Sequence, residues 1–365
     1  MPGDFFCINL ACLIDLSAIM KIAFDKYNKD DLYPFTLNRD VQDIRVGILT
    51  IAEKWNLLLK HFPAIISGKE INDEYPETYI VPKNYIPSLN LLSGLKNTKK
   101  INISDRELNH PWQIFQYNDR SIKEDFELIT QNRKSEKISS TNSLIGDQLF
   151  IEKGAVVEHC YLNSVAGPIY IGKNAEVMEG CMIRGSVAIC EGSKIKMGSK
   201  IYGATTIGPY SLAGGEIKNS VLFGYSNKAH DGYLGDSVIG EWCNLGAGTS
   251  TSNIKNTASE VFIWNEPKKE KVNAGFKCGL LMGDYSRAAI NTSFNTGTVT
   301  GICCNIFRKD FPPTFIQSFS WGDKKYELEK ALDHINNWKK LKGKFIIEEE
   351  KKLISNIYNQ INDNA

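Results

Sequence analysis

Histidine is scarce, five in 365 residues. His230 stands out because polar groups and glycines crowd around it in AHDGYLGDSVIGEWCNLGAGTSTSN (229–253). Shortly before it, GGEIKNS (214–220) supplies a carboxylate at Glu216 and an amine at Lys218. An imidazole titrates near neutral pH and can take a proton from an attacking amine. A carboxylate behind it would orient and polarise the ring, and lysines would neutralise a phosphate. The structural alternatives are a surface or capping histidine, a solvated lysine, and an asparagine ladder at Asn244 and Asn253. The nine cysteines include no CxxC and are odd in number, so they read as small buried hydrophobes rather than as redox or metal groups.

The elements that must position these groups show themselves as a repeat. Aliphatic residues recur every six positions at Ile171, Val177, Ile183, Ile189, Ile195, Ile201 and Ile207, followed by Ala213. Four places after each come Ala175, Cys181, Val187, Ser193, Ser199, Thr205 and Ser211, nearly all small. Hits at Ile145, Ile151 and Val157 extend the rhythm upstream. It resumes at Ile239 and Leu245, and again from Met282 to Ile306. A period of six fits neither a helix nor a long amphipathic strand. It predicts short strands joined by tight corners, stacked as a parallel β-helix around a ladder of aliphatics. Gly214–Tyr233 and Ser250–Cys278 break the rhythm and are expected to be loops leaving one face.

Of the 29 glycines, only Gly3, Gly47, Gly68 and Gly94 precede Glu136. That contrast sets a glycine-poor α/β domain at 20–135 against the repeat domain at 144–322, with a polar linker at 136–143. In the first domain KIAF (21–24), VGILTI (46–51) and TYIVP (78–82) read as short apolar runs, and 48–62 reads as a helix. The tail, 323–365, carries Leu328, Leu332, Ile335 and Trp338 at helical spacing and predicts one or two amphipathic helices. A formal net charge of +1 gives no long-range attraction for nucleic acid or a membrane surface. Residues 1–19 read as an N-terminal extension. They have no basic n-region, and Asp4 and Asp15 flank their apolar stretch, so a cytoplasmic protein is expected.

The six-residue repeat resembles the hexapeptide-repeat acyltransferases, whose fold is a left-handed β-helix, usually trimeric. The segment 229–253 is similar to the acetyltransferase domain of the GlmU family, with a His, then Tyr-Leu-Gly-Asp, then Asn-x-Gly-Ala-Gly-Thr and a further Asn in unbroken spacing. PFTLNRDVQDIRVGILTIAEKW (34–55), GYSNKAHDGYLGDSVIGEWCNLGAGT (224–249), MGDYSRAAINTSFNTGTVTG (282–301) and FPPTFIQSFSWG (311–322) are similar to Bacteroidetes-type GlmU-like proteins. This resemblance implies a reduced sugar nucleotidyltransferase-like domain followed by an acetyl-CoA-dependent N-acetyltransferase. Its acceptor would be an amino-sugar phosphate, glucosamine 1-phosphate, feeding UDP-N-acetylglucosamine and cell-envelope synthesis.

By the same resemblance His230 and Glu216 form the catalytic pair. Lys200, Lys218, Tyr233 and Asn244 bind the sugar phosphate, and Ala247, Asn253 and Asn291 line the acetyl-CoA groove between subunits of a homotrimer. Lys200 replaces an arginine of the family and cannot form its bidentate fork. Only His159 and His230 fall in the repeat region, so a zinc site is not expected. Nucleotidyl transfer, which would need Mg²⁺, stays open as a second activity. The glycine-rich loop it requires is absent, however, because DKYNKDDLYPFTLNRD (25–40) stands where that loop belongs. Arg39, Arg45 and Lys54 are its candidate anion binders; ion pairs with Asp40, Asp43 or Glu53 are the alternative. A catalytically silent trimeric scaffold is the third reading.

Overall fold

The computed structural model describes residues 20–61, 65–67, 78–89 and 105–363; the extension at 1–19 lies outside them. From Ser143 to Trp321 the chain winds into a parallel β-solenoid with three faces. Its first face has six strands, from Ser143–Ile145 to Tyr233–Gly235; its second has nine, from Leu149–Ile151 to Phe315–Ile316; its third has ten, beginning at Val156–Val157.

Strand length decides which side chains enter the core. On the first face the middle residue of three points inward, as at Ile183, Ile201, Ile217 and Leu234, and its neighbours face out. On the second face the pattern inverts, so that Val187 and Ile189 are inward and Ala188 is outward. The aliphatic ladder predicted from the repeat is therefore present, with one correction. Ile145 is exposed: Leu144 is the residue in register with Leu162 and Ile183, and on this first coil it is exposed as well. The small residues four places on are all fully buried, and Ser193 and Ser211 among them, like Ser286 further along, cap carbonyls of the next coil. Ser193 Oγ donates to Gly208 O (2.8 Å), Ser211 Oγ to Phe223 O (2.9 Å) and Ser286 Oγ to Gly301 O (2.9 Å). A buried corner carbonyl left unpaired would cost about 1–3 kcal/mol.

The two breaks in the rhythm have different causes. Gly214–Tyr233 is not a loop; it continues the solenoid with shortened coils. Register partners are eighteen residues apart at Ile189 and Ile207, but fifteen at Ile207 and Leu222 and seventeen at Leu222 and Ile239. Ser250–Cys278 is a true excursion, carrying an antiparallel hairpin of Phe262–Asn265 and Glu270–Asn273.

The N-terminal region forms a three-stranded parallel sheet with Met20–Asp25 at its centre, and helices α1 (Ile51–His61) and α2 (Asn118–Thr130). The run at 46–51 makes no strand; it turns into α1. This region shares a core with the solenoid. Outward residues of the second face run Ala188, Thr206, Val221, Val238, Leu281 and Val299 in register, a mostly apolar row that would face water if bare. Phe35, Trp55, Leu108 and Phe115 cover it, and the hairpin adds Val261 and Ile263. Asn118 Nδ2 donates to Ala204 O (2.5 Å), and Thr206 Oγ1 donates to Gly47 O (3.0 Å). Helices α3 (Leu328–Lys340) and α4 (Glu348–Asp363) pack against a line of corner residues, Trp242, Tyr285, Ile302, Cys303 and Phe319, along the solenoid flank. No helix among the described residues is long and apolar enough to cross a membrane.

Candidate active site

On the first face, parallel register aligns Lys200, Glu216 and Tyr233 in one outward row, with Tyr202, Lys218 and Gly235 in the next. Neighbouring strands lie about 4.8 Å apart, so these side chains share one patch. The Tyr202 hydroxyl donates to Glu216 Oε1 at 2.6 Å, and Lys218 Nζ lies 5.7 Å from the Tyr202 ring centroid. That hydrogen bond to Glu216, with burial second, pushes the Tyr202 pKa up to about 12, so the phenol stays protonated and keeps donating.

A second set of bonds fixes Tyr233. Asp236 Oδ1 accepts from Asn219 Nδ2 (2.5 Å), and its Oδ2 accepts from Asn253 Nδ2, which also reaches the Tyr233 hydroxyl at 3.3 Å. The Tyr233 ring folds over Gly235, where a Cβ would stand 2.2 Å from the hydroxyl oxygen. A side chain at that position would push the Tyr233 ring out of place, so the glycine serves the ring position by close approach rather than by backbone angle.

His230 sits on the corner between the third face and the first, three residues before Tyr233, and its side chain is exposed. The same corner in the next coils carries Ala247 and then Asn291. Gly248 N donates to Asp231 O (3.1 Å), and Asn291 N donates to Ala247 O (2.7 Å). Gly248, at φ +72°, leaves room for the Asn291 side chain. The edge thus stacks His230, Ala247 and Ile290, with Asn291 one residue on against Gly248, and it borders the patch holding Lys200, Glu216, Lys218, Tyr233 and Asn253. Asn244 stands apart from both, on the third face, where its Oδ1 accepts from Asn227 at 3.4 Å. Glu216 makes its hydrogen bond to Tyr202 and none to the His230 ring.

Lys228, two residues before His230, escapes a six-residue reading. The shortened coil sets it in register with Ala213, which places it inward on the aliphatic ladder, 1% exposed. Its Nζ donates to Gly214 O (3.1 Å) and His230 O (2.5 Å), tying down the corner on which His230 stands. Burial pulls its pKa down to about 8, partly offset by Asp231. Tyr202 and Asp236 also went unassigned in the sequence. Tyr202 could have been found from its position two residues beyond Lys200 on one strand, and Asp236 from its place in the Tyr-Leu-Gly-Asp run.

The three candidate anion binders of the N-terminal region, Arg39, Arg45 and Lys54, all face inward. Arg39 pairs with Asp284 of the solenoid, with Glu241 at 3.7 Å. Lys54 and Asp125 form a buried pair, with the Asp125 carboxylate also accepting from Ile48 N (2.8 Å) and Leu49 N (3.1 Å). Arg45 reaches Ile48 O and Glu53 (3.4 Å). Arg45 thus finds an anticipated partner, whereas Arg39 and Lys54 use carboxylates far away in sequence. Asp40 instead meets Lys83 at 3.2 Å.

Comparison with known proteins agrees with both halves. The sugar nucleotidyl transferase family matches residues 21–100. The bifunctional protein GlmU of Methanococcus aeolicus is 37% identical over 86 residues, covering 24% of this chain and 20% of that one. The bifunctional protein GlmU of Herminiimonas arsenicoxydans is 24% identical over 251 residues, covering 59% of this chain and 50% of that one. Matches to such relatives thus span between a fifth and a half of their length. Among solved structures, the acetyltransferase domain of PglB from Neisseria gonorrhoeae aligns over 82% of this chain and 96% of its own, at 11% identity and a TM-score of 0.14. The chain is thus similar to the bifunctional GlmU proteins in part, with a sugar nucleotidyl transferase segment matched at its N-terminus and a β-helix carrying the repeat and the 229–253 motif beyond it.

Proposed function

We propose that the protein transfers the acetyl group of acetyl-CoA to the amine of an amino-sugar phosphate, glucosamine 1-phosphate, at the patch beside His230. The observation that carries this is the register of the first face, which gathers two lysines, a carboxylate and a tyrosine next to one exposed imidazole. The lysines, Lys200 and Lys218, hold the phosphate, and the Tyr233 hydroxyl, oriented through Asn253 and Asp236, holds a sugar hydroxyl. His230 takes the proton as the amine nitrogen attacks the thioester carbonyl. The C–S bond then breaks, and the CoA thiolate leaves and takes up a proton. Glu216, kept in place by Tyr202, supplies negative charge near the developing imidazolium. The backbone N–H of Ala247 on the His230 edge faces the acetyl-CoA side. Exposed Ile145, Tyr161 and Met182 continue the first face away from the patch, an apolar strip suited to a second copy in a homotrimer.

Free thiol release from acetyl-CoA with glucosamine 1-phosphate tests the reading. Turnover should collapse in His230→Ala. Release that survives this change refutes the assigned base, and no release with any amino-sugar phosphate refutes the activity.

The family match at 21–100 supports nucleotidyl transfer as a second reading. Against it stand Arg39, Arg45 and Lys54, each already engaged within the protein. The arrangement favours a region that docks on the second face, and magnesium-dependent release of pyrophosphate from UTP and a sugar 1-phosphate would overturn that preference.

A further inference from the structure

The third face of the solenoid carries a row of polar side chains that runs beneath helix α3: Asn227, Asn244 and Arg287 in adjacent register. Hydrogen-bond donors and acceptors along this row do not balance. Lys342, just beyond α3, donates through Nζ to Asn227 Oδ1 (3.1 Å) and Tyr210 O (2.5 Å). Asn227 passes the polarity on, donating its Nδ2 to Asn244 Oδ1 (3.4 Å). The half-buried Asn244 amide nitrogen has no protein acceptor among the described residues, and it stands beside Arg287.

Arg287 is only 8% exposed, and its Nε and Nη2 are buried with no hydrogen-bond partner. Among the described residues it has no carboxylate in salt-bridge contact; the Trp338 ring, 5.2 Å away, lies against the guanidinium. Lys342 likewise has no carboxylate in contact. Burial lowers the pKa of both groups, Lys342 to about 8, as expected for cations without a counter-ion. A buried guanidinium with unused donors is costly unless an anion fills them, and arginine presents those donors in a geometry that fits oxyanions.

We propose that Arg287 and Asn244, closed over by Trp338, form a binding site for an oxyanion, a phosphate or carboxylate group, on the third face. Lys342 supplies a second positive charge at the far end of the row. The site lies on a different face from the Lys200–Glu216–Tyr233 patch, and its occupancy does not depend on the acetyl-transfer reading.

The test is thermal unfolding of the full chain in a chloride buffer of constant ionic strength, titrated separately with inorganic phosphate and with acetate. Arg287→Met and, as a surface control, Lys344→Met are measured alongside. The expected result is a saturable rise in midpoint of about 4 °C or more for the native chain and the control, and none for Arg287→Met. Arg287→Met should also melt above the native chain when phosphate and acetate are absent, because it removes an uncompensated charge. Whichever of the two titrants saturates identifies the anion class. An equal rise in Arg287→Met, or no rise in the native chain with either titrant, overturns the proposal. So does a midpoint that follows protein concentration instead, since the counter-charge would then come from a second copy.

Discussion

Replacing Lys228 with methionine should exchange a pH-dependent penalty for a pH-independent one. The native ammonium is buried on the aliphatic ladder with its pKa at about 8, against 10.5 for an unperturbed lysine. That difference corresponds to about 3 kcal/mol, the cost of keeping the proton on in the folded state. Below pH 8 both folded and unfolded chains carry the proton, so the penalty is fully present. Between about pH 8 and 10.5 the folded chain releases the proton while the unfolded chain still binds it, and native stability climbs. Methionine fills the same slot without charge, but it leaves Gly214 O and His230 O without their donor. The loss of the Gly214 bond costs about 1–3 kcal/mol at any pH. At pH 7 the variant should therefore equal or exceed the native chain by up to about 2 kcal/mol. By pH 9.5 the native chain will have regained about 2 kcal/mol, and the order should narrow or reverse. Urea unfolding of both proteins under reducing conditions at pH 7.0 and 9.5 measures this directly. A stability difference that is the same at both pH values would refute the buried-ammonium argument. Because the lysine also ties the His230 carbonyl, turnover of the stabilised variant should fall, and unchanged turnover would show that the corner holds without it.

Three other substitutions read separate parts of the structure. Tyr202→Phe removes the hydroxyl that holds Glu216, and should lower kcat/KM for acetyl transfer about tenfold, in line with about 1.5–3 kcal/mol for a hydrogen bond to a charged group tempered by solvent access. Because that hydroxyl stays protonated to about pH 12, the tenfold ratio should be constant from pH 6 to 10; a ratio that drifts would assign the phenol a titrating role. Gly235→Ala sets a methyl against the Tyr233 hydroxyl, so kinetics should show a raised KM for the sugar phosphate with little change in melting temperature. A variant that binds normally would mean that the ring position does not matter. Lys54→Met strands the Asp125 carboxylate in the interior and should cost about 3–5 kcal/mol by chemical denaturation. Adding Asp125→Leu should recover part of that loss; no recovery would place the cost in packing rather than in charge.

The period of six in residues 171–213 was enough to specify the solenoid, because one inward aliphatic per short strand admits no other regular stacking. The motif at 229–253 carried the corner histidine and Tyr233, since their spacing along one corner and one strand is local. What the sequence could not show was register between coils. Coil lengths of fifteen and seventeen shift the ladder by residues that no local pattern reports, and only the stacked structure turns Lys228 inward and pairs Tyr202 with Glu216. Distant partners were equally hidden: Arg39 meets Asp284, and the hairpin at Phe262–Asn273 closes over the N-terminal region instead of forming a free loop. Hydrophobic periodicity fixes which residues are buried along each turn. The choice of neighbour for each buried charge is made by packing between turns, which is a property of the folded chain alone.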